Sequence, residues 1–458
     1  MKIIICGAGQ VGWQIARHLS GERNDVTVID LNADLVRKAT EMLDVQGVAG
    51  FASHPDVLDR AGANDADLII AATHSDEVNM VTCQIAHSVF QVPRKIGRLR
   101  SAAYLEAIYS DLYTTDHLPI DVVISPEREV AAAVISRLES PSTFDAEDFM
   151  GGRARLLGID LADDCPALNT PLRQLTDLFP TLRARIVALR RAGRLAVARA
   201  GDELNAGDQV YLFCHHEDAA RALEIFGKPG QPVRRVVLIG GGNIGQVVAE
   251  QLDRGPARID ARIIERDRAR AEAAADALSR TIVLHGDGLS PEMLAEAEID
   301  RADAVVTLTD DDKTNILAAL RARQNGARMV ISLINDPSLV PLIQPMEIDA
   351  YINPRATTVS TILRHIRHGR VRDVYAIGDA EAEVIEAQVL ATSSVAGKTL
   401  REIAFPAGAM VGMVMKRDHV VPPHGDLRLE EGDVICIFSL SRDVPRVEEL
   451  LQVAINYF

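Results

Sequence analysis

Long apolar runs are absent from this chain: none reaches the ~18 uninterrupted apolar residues that a membrane-spanning helix requires. Cysteine is scarce and unpaired in pattern. The five residues Cys6, Cys83, Cys165, Cys214 and Cys436 are odd in number, scattered and never spaced C-x-x-C. That argues against a disulfide framework or a zinc site and fits reduced thiols. Positive charge is in short supply, with 49 basic against 65 acidic residues and a net charge of −16. Such a surface repels phosphate backbones, which argues against general nucleic-acid binding. The sequence contains no H-E-x-x-H, no G-x-S-x-G and no G-x-x-x-x-G-K-[ST], so the motifs of zinc hydrolases, serine esterases and P-loop enzymes are missing. The opening MKIIICGAGQ begins a strand at once, without the charged-then-apolar layout of a secretion signal. The expectation is an acidic, cytoplasmic, soluble protein.

At 458 residues, the chain is long enough for three or four units at about 150 residues each. It also repeats itself. KIIICGAGQVG at Lys2 to Gly12 returns as VVLIGGGNIG at Val236 to Gly245, and IIAATHSDEVN ending at Asn79 returns as VVTLTDDDKTN ending at Asn315. GDELNAGDQVYLF at Gly201 to Phe213 returns as GDLRLEEGDVICIF at Gly425 to Phe438. The order is a long unit, a short unit, then both again, with a Pro/Gly linker over Gly227 to Arg235 at the midpoint.

In the first long unit, short Val/Ile-rich runs predict strands at Lys2–Cys6, Val26–Ile29, Val45–Val48, Asp67–Ala72, Lys95–Leu99 and Asp121–Ile124. Amphipathic segments over Val11–Leu19 and Asp76–Phe90 lie between them. Continuous rather than alternating apolar runs mark parallel strands buried on both faces. The alternation, with a glycine-rich first turn, predicts an α/β fold of two Rossmann-like doubly wound parallel-sheet domains. After the sixth strand, Pro126 opens a helix over Glu127–Leu138 that carries the chain out of the sheet. Each long unit is followed by a small α+β domain. In the first of these, strands are expected at Arg185–Leu189, Leu195–Ala198 and Gln209–Cys214, with a helix over Asp218–Phe226. At about 80 residues such units sit near the lower size limit for an independent core, so they are expected to pair with a copy or a neighbour. The expected domains are 1–140, 145–228, 233–370 and 373–458.

Gly7-Ala8-Gly9-Gln10-Val11-Gly12 matches G-x-G-x-x-G. Gly7 allows the tight turn, Gly9 lets backbone approach a pyrophosphate, and Gly12 lets the helix pack on its strand. The helix start offers free N–H groups and a positive dipole end. Asp30 closes the second strand 18 residues after Gly12, where a carboxylate accepts ribose hydroxyls and repels a 2′-phosphate, favouring NAD over NADP. Gly240-Gly241-Gly242-Asn243-Ile244-Gly245 repeats the loop, and Glu265 follows Gly245 by 20 residues. Two full matches, each after a strand and each with its acid, point to two dinucleotide crevices. They are expected to differ. Arg98 ends the fifth strand, where a guanidinium meets phosphate; the equivalent position is Leu333. The first crevice is therefore expected to bind its dinucleotide more tightly, or to take a different adenine nucleotide.

Thr73-His74 and Thr309-Asp310 end the fourth strand of each half, as ribose or phosphate contacts or, for His74, as an exposed loop residue. Asp310-Asp311-Asp312 reads as a helix N-cap rather than a metal site. A dehydrogenase needs a positioned proton donor on a substrate domain. The best candidate, Cys214-His215-His216, has only Phe438-Ser439-Leu440 in the duplicate and reads as solvated histidines. Arg183, Arg185, Arg190, Arg191, Arg194 and Arg199 read as a solvated face; Arg364, Arg367 and Arg370 share a helix face that could meet an acidic partner. The chain thus binds nucleotides without machinery to transform a substrate, the description of a ligand sensor, with an NAD-dependent dehydrogenase as the rival.

The stretches MKIIICGAGQVG, GFASHPDVLDRAGANDADLIIAATHSDEVNMVTCQ and VVLIGGGNIG resemble the TrkA family, the NAD-binding cytoplasmic regulatory subunits of Trk-type bacterial potassium uptake. The likeness spans essentially the whole length, and the unit order matches that family's tandem RCK N and C modules. Ser53-His54-Pro55 and Asp76-Glu77-Val78-Asn79 are the more specific part, since a generic dinucleotide fold does not require them. The resemblance implies a homo-oligomer (a dimer or tetrameric ring) attached to the inner face of the membrane through a TrkH-type channel subunit. It implies NAD or NADH as ligand, with ATP or ADP in addition, alongside the absence of catalysis and of a metal read above from the residues. It also implies nucleotide contacts at Gly7 to Gly12, Asp30, Thr73, His74 and Arg98, and at Gly240 to Gly245 and Glu265. Leu333 leaves the second nucleotide open among NAD, ATP/ADP and none.

Overall fold

The computed structural model describes residues 1–451, apart from 22–23, 229, 231–232, 256–257, 344–345, 347, 367–370 and 379–380. Parts of the expected Gly227–Arg235 linker, and both Arg367 and Arg370, therefore lie outside the described residues.

Strands β1 (Lys2–Cys6), β2 (Asp25–Asp30), β3 (Gln46–Ala49), β4 (Leu68–Ala71), β5 (Arg94–Arg98) and β6 (Val122–Ile124) form a parallel sheet in the order β3-β2-β1-β4-β5-β6. All six fall within one residue of the ends predicted from their apolar runs. Their central residues, such as Ile3, Ile5, Leu68, Ile70 and Ile96, are fully buried, as a sheet covered on both faces demands. Because β1 pairs with β2 on one side and β4 on the other, the strand order reverses there. A crevice opens at such a point beyond the carboxyl ends of the strands.

The first small unit is an antiparallel sheet of β7 (Asp145–Phe149), β8 (Ala154–Asp160), β9 (Ala184–Arg191), β10 (Arg194–Val197) and β11 (Gln209–His215), ordered β10-β9-β11-β8-β7. The second long unit repeats the first with β12 (Arg235–Ile239), β13 (Asp260–Glu265), β14 (Ile282–His285), β15 (Ala304–Thr307), β16 (Met329–Leu333) and β17 (Ala350–Ile352), ordered β14-β13-β12-β15-β16-β17. The second small unit carries β18 (Val371–Ile377), β19 (Ala382–Gln388), β20 (Ala409–Lys416), β21 (His419–Val421) and β22 (Val434–Leu440), ordered β18-β19-β22-β20-β21. The duplication read from the sequence is thus a duplication of topology.

The halves are joined by exchanged helices. Ser125 caps the helix Pro126–Glu139 by accepting from the Arg128 N–H at 3.4 Å, with Pro126 in the first turn. The buried stripe Val130, Ala131, Val134 and Leu138 packs on the second half's sheet, among Val236, Leu238, Val306 and Ile331. Reciprocally, Ile362, Leu363 and Ile366 of the helix Pro354–Ile366 pack among Ile3, Ile5, Ile15 and Ile70 of the first half. Thr361 of one exchanged helix donates to Glu129 of the other at 2.8 Å. Burying Val130, Val134 and Leu138 contributes about 5–9 kcal/mol, comparable to the ~5–15 kcal/mol net stability of a whole domain. Neither half is complete without the other.

The small units pair with each other, as their size required. Phe149, Leu156, Tyr211 and Phe213 share one core with Ile377, Val384, Met413 and Phe438. Gly412 is obligatory there, since a Cβ on it would come within 2.3 Å of the Phe213 ring. Two sequence expectations are corrected at these junctions. Arg185, Arg191, Arg194 and Arg199 are exposed, as a solvated face requires, but Arg183 pairs with Asp218 at 2.8 Å and Arg191 with Asp208 at 2.7 Å, and Arg190 departs from the face to pair with Glu381 of the other small unit at 2.5 Å. Arg364 meets Glu147 at 3.2 Å and Asp373 at 2.7 Å within the chain, and so is not free to meet an external acidic partner.

Candidate functional site

Both glycine turns adopt the geometry their sequence calls for. Gly7 has φ +110°, and a Cβ on it would lie 2.8 Å from the Ala72 carbonyl oxygen. A Cβ on Gly12 would lie 1.8 Å from the Gly7 oxygen, so only hydrogen lets the helix Gln10–Ser20 approach the turn. Gly9 faces open space, with nothing within 4 Å of its notional Cβ, and it starts the helix without any side-chain cap. Free N–H groups therefore point outward there. Gly240, Gly242 and Gly245 reproduce the three situations: φ +110°, open space, and a notional Cβ 2.0 Å from the Gly240 oxygen.

The acids lie beside the turns. Asp30 accepts from the Ala8 N–H at 2.6 Å and the Asn32 N–H at 2.8 Å. Glu265 accepts from the Gly241 N–H and the Asp267 N–H, each at 2.7 Å, and is almost fully buried. Arg270 adds an ion pair to Glu265 at 3.0 Å, which Asp30 lacks among the described residues.

Arg98 ends β5 as expected and lines the crevice. Its Nε is buried and has no hydrogen-bond partner among the described residues. Burial first, then the neighbouring Arg100, weakens its hold on the proton. A buried guanidinium nitrogen left unsatisfied costs free energy, and an anion in the crevice would remove that cost. Leu333 at the matching end of β16 is buried and apolar. Arg355 follows Ile352, the register partner of Leu333, by three residues. It lines the same cavity, its backbone N–H donates to Asn353 Oδ1 at 3.0 Å, and its charge acts on Asp336.

Thr73 and Thr309 both line the cavity, and each is held in place by a buried asparagine. The Thr73 N–H and hydroxyl both donate to Asn79 Oδ1, at 2.9 and 2.7 Å, while Asn79 Nδ2 donates to the Arg98 carbonyl at 2.8 Å. Asn315 holds Thr309 at 2.9 and 2.7 Å and the Leu333 carbonyl at 3.0 Å. These buried asparagines fix the ends of the strands that bear Arg98 and Leu333. The signal for them was present in the duplicated six-residue spacing from Thr to Asn. Asp76 likewise accepts from the Arg100 and Ser101 N–H groups at 2.8 to 3.0 Å, and Asp312 from those of Asn335 and Asp336. Asp311 caps its helix through the Thr314 N–H at 2.8 Å, the role expected of the acidic run. His74 and Asp310 are exposed at the rim. Cys214 is buried, its thiol pushed up to about 12 by burial, and His215 accepts from the Glu217 N–H at 3.2 Å. Neither is part of a crevice.

Unforeseen residues complete the first crevice. Leu31 and Phe51 are exposed apolar side chains that line it, and Lys38 lies over the Trp13 ring at 5.3 Å. The helix exchange brings both crevices into one cavity of about 2030 Å³, lined by Gly7 to Gly12 from one half and by Gly240, Gly242 and Asn243 from the other.

With the site described, similarity to known proteins gives it a family. The TrkA-N domain matches residues 3–126 and 236–354, and the TrkA-C domain matches residues 156–227 and 384–452. The chain belongs to the TrkA family. It is 43% identical over 458 residues to the Trk system potassium uptake protein TrkA of Azorhizobium caulinodans, covering 100% of both chains. The TrkA of Halomonas elongata is 37% identical over 462 residues, again with 100% of both covered. Among solved structures, the GsuK RCK domain superposes with a TM-score of 0.59 at 18% identity, covering 98% of this chain and 94% of that one. The GsuK channel bound to NAD gives 0.60 at 18% identity, with 98% and 78% covered. At that identity the likeness supports the fold. No helix among the described residues is long and apolar enough to cross a membrane.

Proposed function

We propose that this chain is a non-enzymatic regulatory subunit of potassium uptake, binding NAD or NADH, and ATP or ADP in competition, to control a TrkH-type membrane channel subunit. The observation that carries this reading is the shared cavity. An uncapped glycine turn, the Asp30 carboxylate beside it and the Arg98 nitrogen that has no partner among the described residues all line that cavity between the two halves, which supports the reading. Gly7 to Gly12 would hold the diphosphate, Asp30 the adenosine ribose, and Arg98 a phosphate oxygen. Asp30 repels a 2′-phosphate, which favours NAD over NADP. Thr73 would place the loop rather than touch ligand, and His74 would stand at the rim. In the second half, Gly240 to Gly245, Glu265, Thr309 and Asp310 occupy the equivalent places.

A ligand in a seam does work without turnover if it binds one spacing of the halves better than another. Shifting such a balance from 1:99 to 99:1 takes about 5.5 kcal/mol of differential binding, within reach of a dinucleotide whose phosphates meet one half while its far end meets the other. The small units would transmit that spacing to further copies in a dimer or tetrameric ring, held at the inner face of the membrane by the channel subunit. The test is sedimentation of the purified protein with membranes that contain or lack the channel subunit, with and without NADH. Attachment only where the channel subunit is present, altered by NADH, is expected. Equal attachment to both membranes would contradict the proposal, as would steady NADH consumption with oxo-acids, which would favour the dehydrogenase.

A further inference from the structure

The two crevices share their glycine turns but not the walls on which a base would lie. The register makes the comparison direct. Asp30 pairs with Ala49 across β2 and β3, and Glu265 pairs with His285 across β13 and β14. The next residue in each case donates back to the acid's own carbonyl, Gly50 to Asp30 and Gly286 to Glu265, both at 2.9 Å. Leu31 therefore corresponds to Arg266, and Phe51 to Asp287.

In the first half, the slot beyond the acid has two apolar walls. Leu31 is 61% and Phe51 is 47% exposed, both line the cavity, and the Phe51 ring is held by His54 with centroids 5.1 Å apart. Large apolar side chains left open beside a cavity are the walls a flat heterocycle needs. In the second half, the same two positions carry opposite charges, both exposed. The Asp287 carboxylate is turned to its own loop, accepting from the Leu289 N–H at 2.9 Å. The acid that would take a ribose is also occupied, since Glu265 is almost fully buried with Arg270 on the oxygen that already accepts from Asp267. Seating a base there would strip water from the Asp287 carboxylate and leave only the Arg266 guanidinium plane to lie on, in place of two apolar walls.

We propose that each chain binds a single adenine nucleotide, in the first crevice, with Leu31 and Phe51 as the residues that confine it there. The second glycine turn then serves the seam and not a second nucleotide. This rests on the nucleotide-binding reading above and adds its stoichiometry and base specificity.

Titration calorimetry of the full chain with NAD and with ADP tests it, alongside the emission of Trp13. That residue is the chain's one tryptophan and lines the first crevice. One molecule bound per chain is expected, with heat and emission saturating together. Leu31→Arg with Phe51→Asp, which copies the second half, should weaken binding about 100-fold, the loss of two apolar contacts at roughly tenfold each. Arg266→Leu, Asp287→Phe and Arg270→Leu together should raise the stoichiometry to two, the second event being silent in Trp13 emission. Two molecules bound to the unaltered chain would overturn the proposal, as would a folded triple variant that still bound only one. No saturable binding at all would instead overturn the reading on which the proposal rests.

Discussion

Replacing Asn79 and, separately, Asn315 by alanine perturbs the two halves identically and should affect function in only one of them. Asn79 Oδ1 accepts from the Thr73 N–H and hydroxyl, and its amide donates to the Thr73 and Arg98 carbonyls at 3.3 and 2.8 Å. Asn315 makes the same four bonds within about 0.3 Å, and both residues are fully buried. Alanine leaves a backbone N–H and a strand-end carbonyl without partners, at about 1–3 kcal/mol each. Water entering the vacated space recovers part of that, so each variant should lose about 2–4 kcal/mol, read as a fall in urea midpoint by circular dichroism. Nucleotide affinity should divide them. Asn79→Ala releases the strand end that carries Arg98 and should weaken NAD binding tenfold or more, whereas Asn315→Ala releases Leu333 and should change it less than threefold. Equal losses of affinity in the two variants would refute the asymmetry. Unchanged urea midpoints would refute the role given to the asparagines.

Gly9→Ala adds a methyl group to open space at an ordinary φ of −64°, so its stability should hold within about 0.5 kcal/mol while NAD affinity falls as the Cβ enters the phosphate position. Gly12→Ala drives a Cβ into the Gly7 carbonyl and should destabilise by at least ~3 kcal/mol, beyond ordinary overpacking. The reverse ranking in thermal melts would contradict the turn geometry. Burial lifts the Glu147 carboxyl to about 7 against the pull of Arg364. The folded chain therefore keeps a proton that the unfolded chain has lost between about pH 4.5 and 7, and stability from this group falls as pH rises through that window. Glu147→Gln, which leaves Arg364 its ion pair with Asp373, should gain on the unaltered chain between about pH 5 and 8; a constant difference in midpoint would rule this out.

The parallel strands were legible because burial on both faces writes itself as uninterrupted runs such as IIIC and DLIIA. Strand β7 was not, because its sequence DAEDF reads as a loop. Its charges are satisfied by partners outside the strand, near and far in sequence: Asp145 by Arg137 at 3.1 Å and the Tyr375 hydroxyl at 2.6 Å, Glu147 by Arg364 at 3.2 Å, and Asp148 by Arg155 at 2.6 Å. The stripe of the helix Pro126–Glu139 announced an apolar contact without saying which sheet it would meet, so the helix exchange, and with it the single cavity, could not be read in advance. That exchange also means that affinities cannot be compared on separated halves. The glycine turns and both acids were legible from spacing. Leu31 and Phe51 were not, because an isolated exposed apolar residue carries no pattern; it gains meaning only where the register sets it beside Asp30. Arg98 stood out through its contrast with Leu333; Arg355 was legible only as the repeat's echo of Arg128, and the pairing of Leu333 with Ile352 is what sets it beside the second crevice.

The most direct measurement follows Trp13 emission and nicotinamide absorbance together while NADH is titrated into the full chain. A saturable change in emission, with absorbance that stays constant over hours in the presence of oxo-acids, is the result the shared cavity requires. Emission that never saturates, or absorbance that steadily decays, would contradict it.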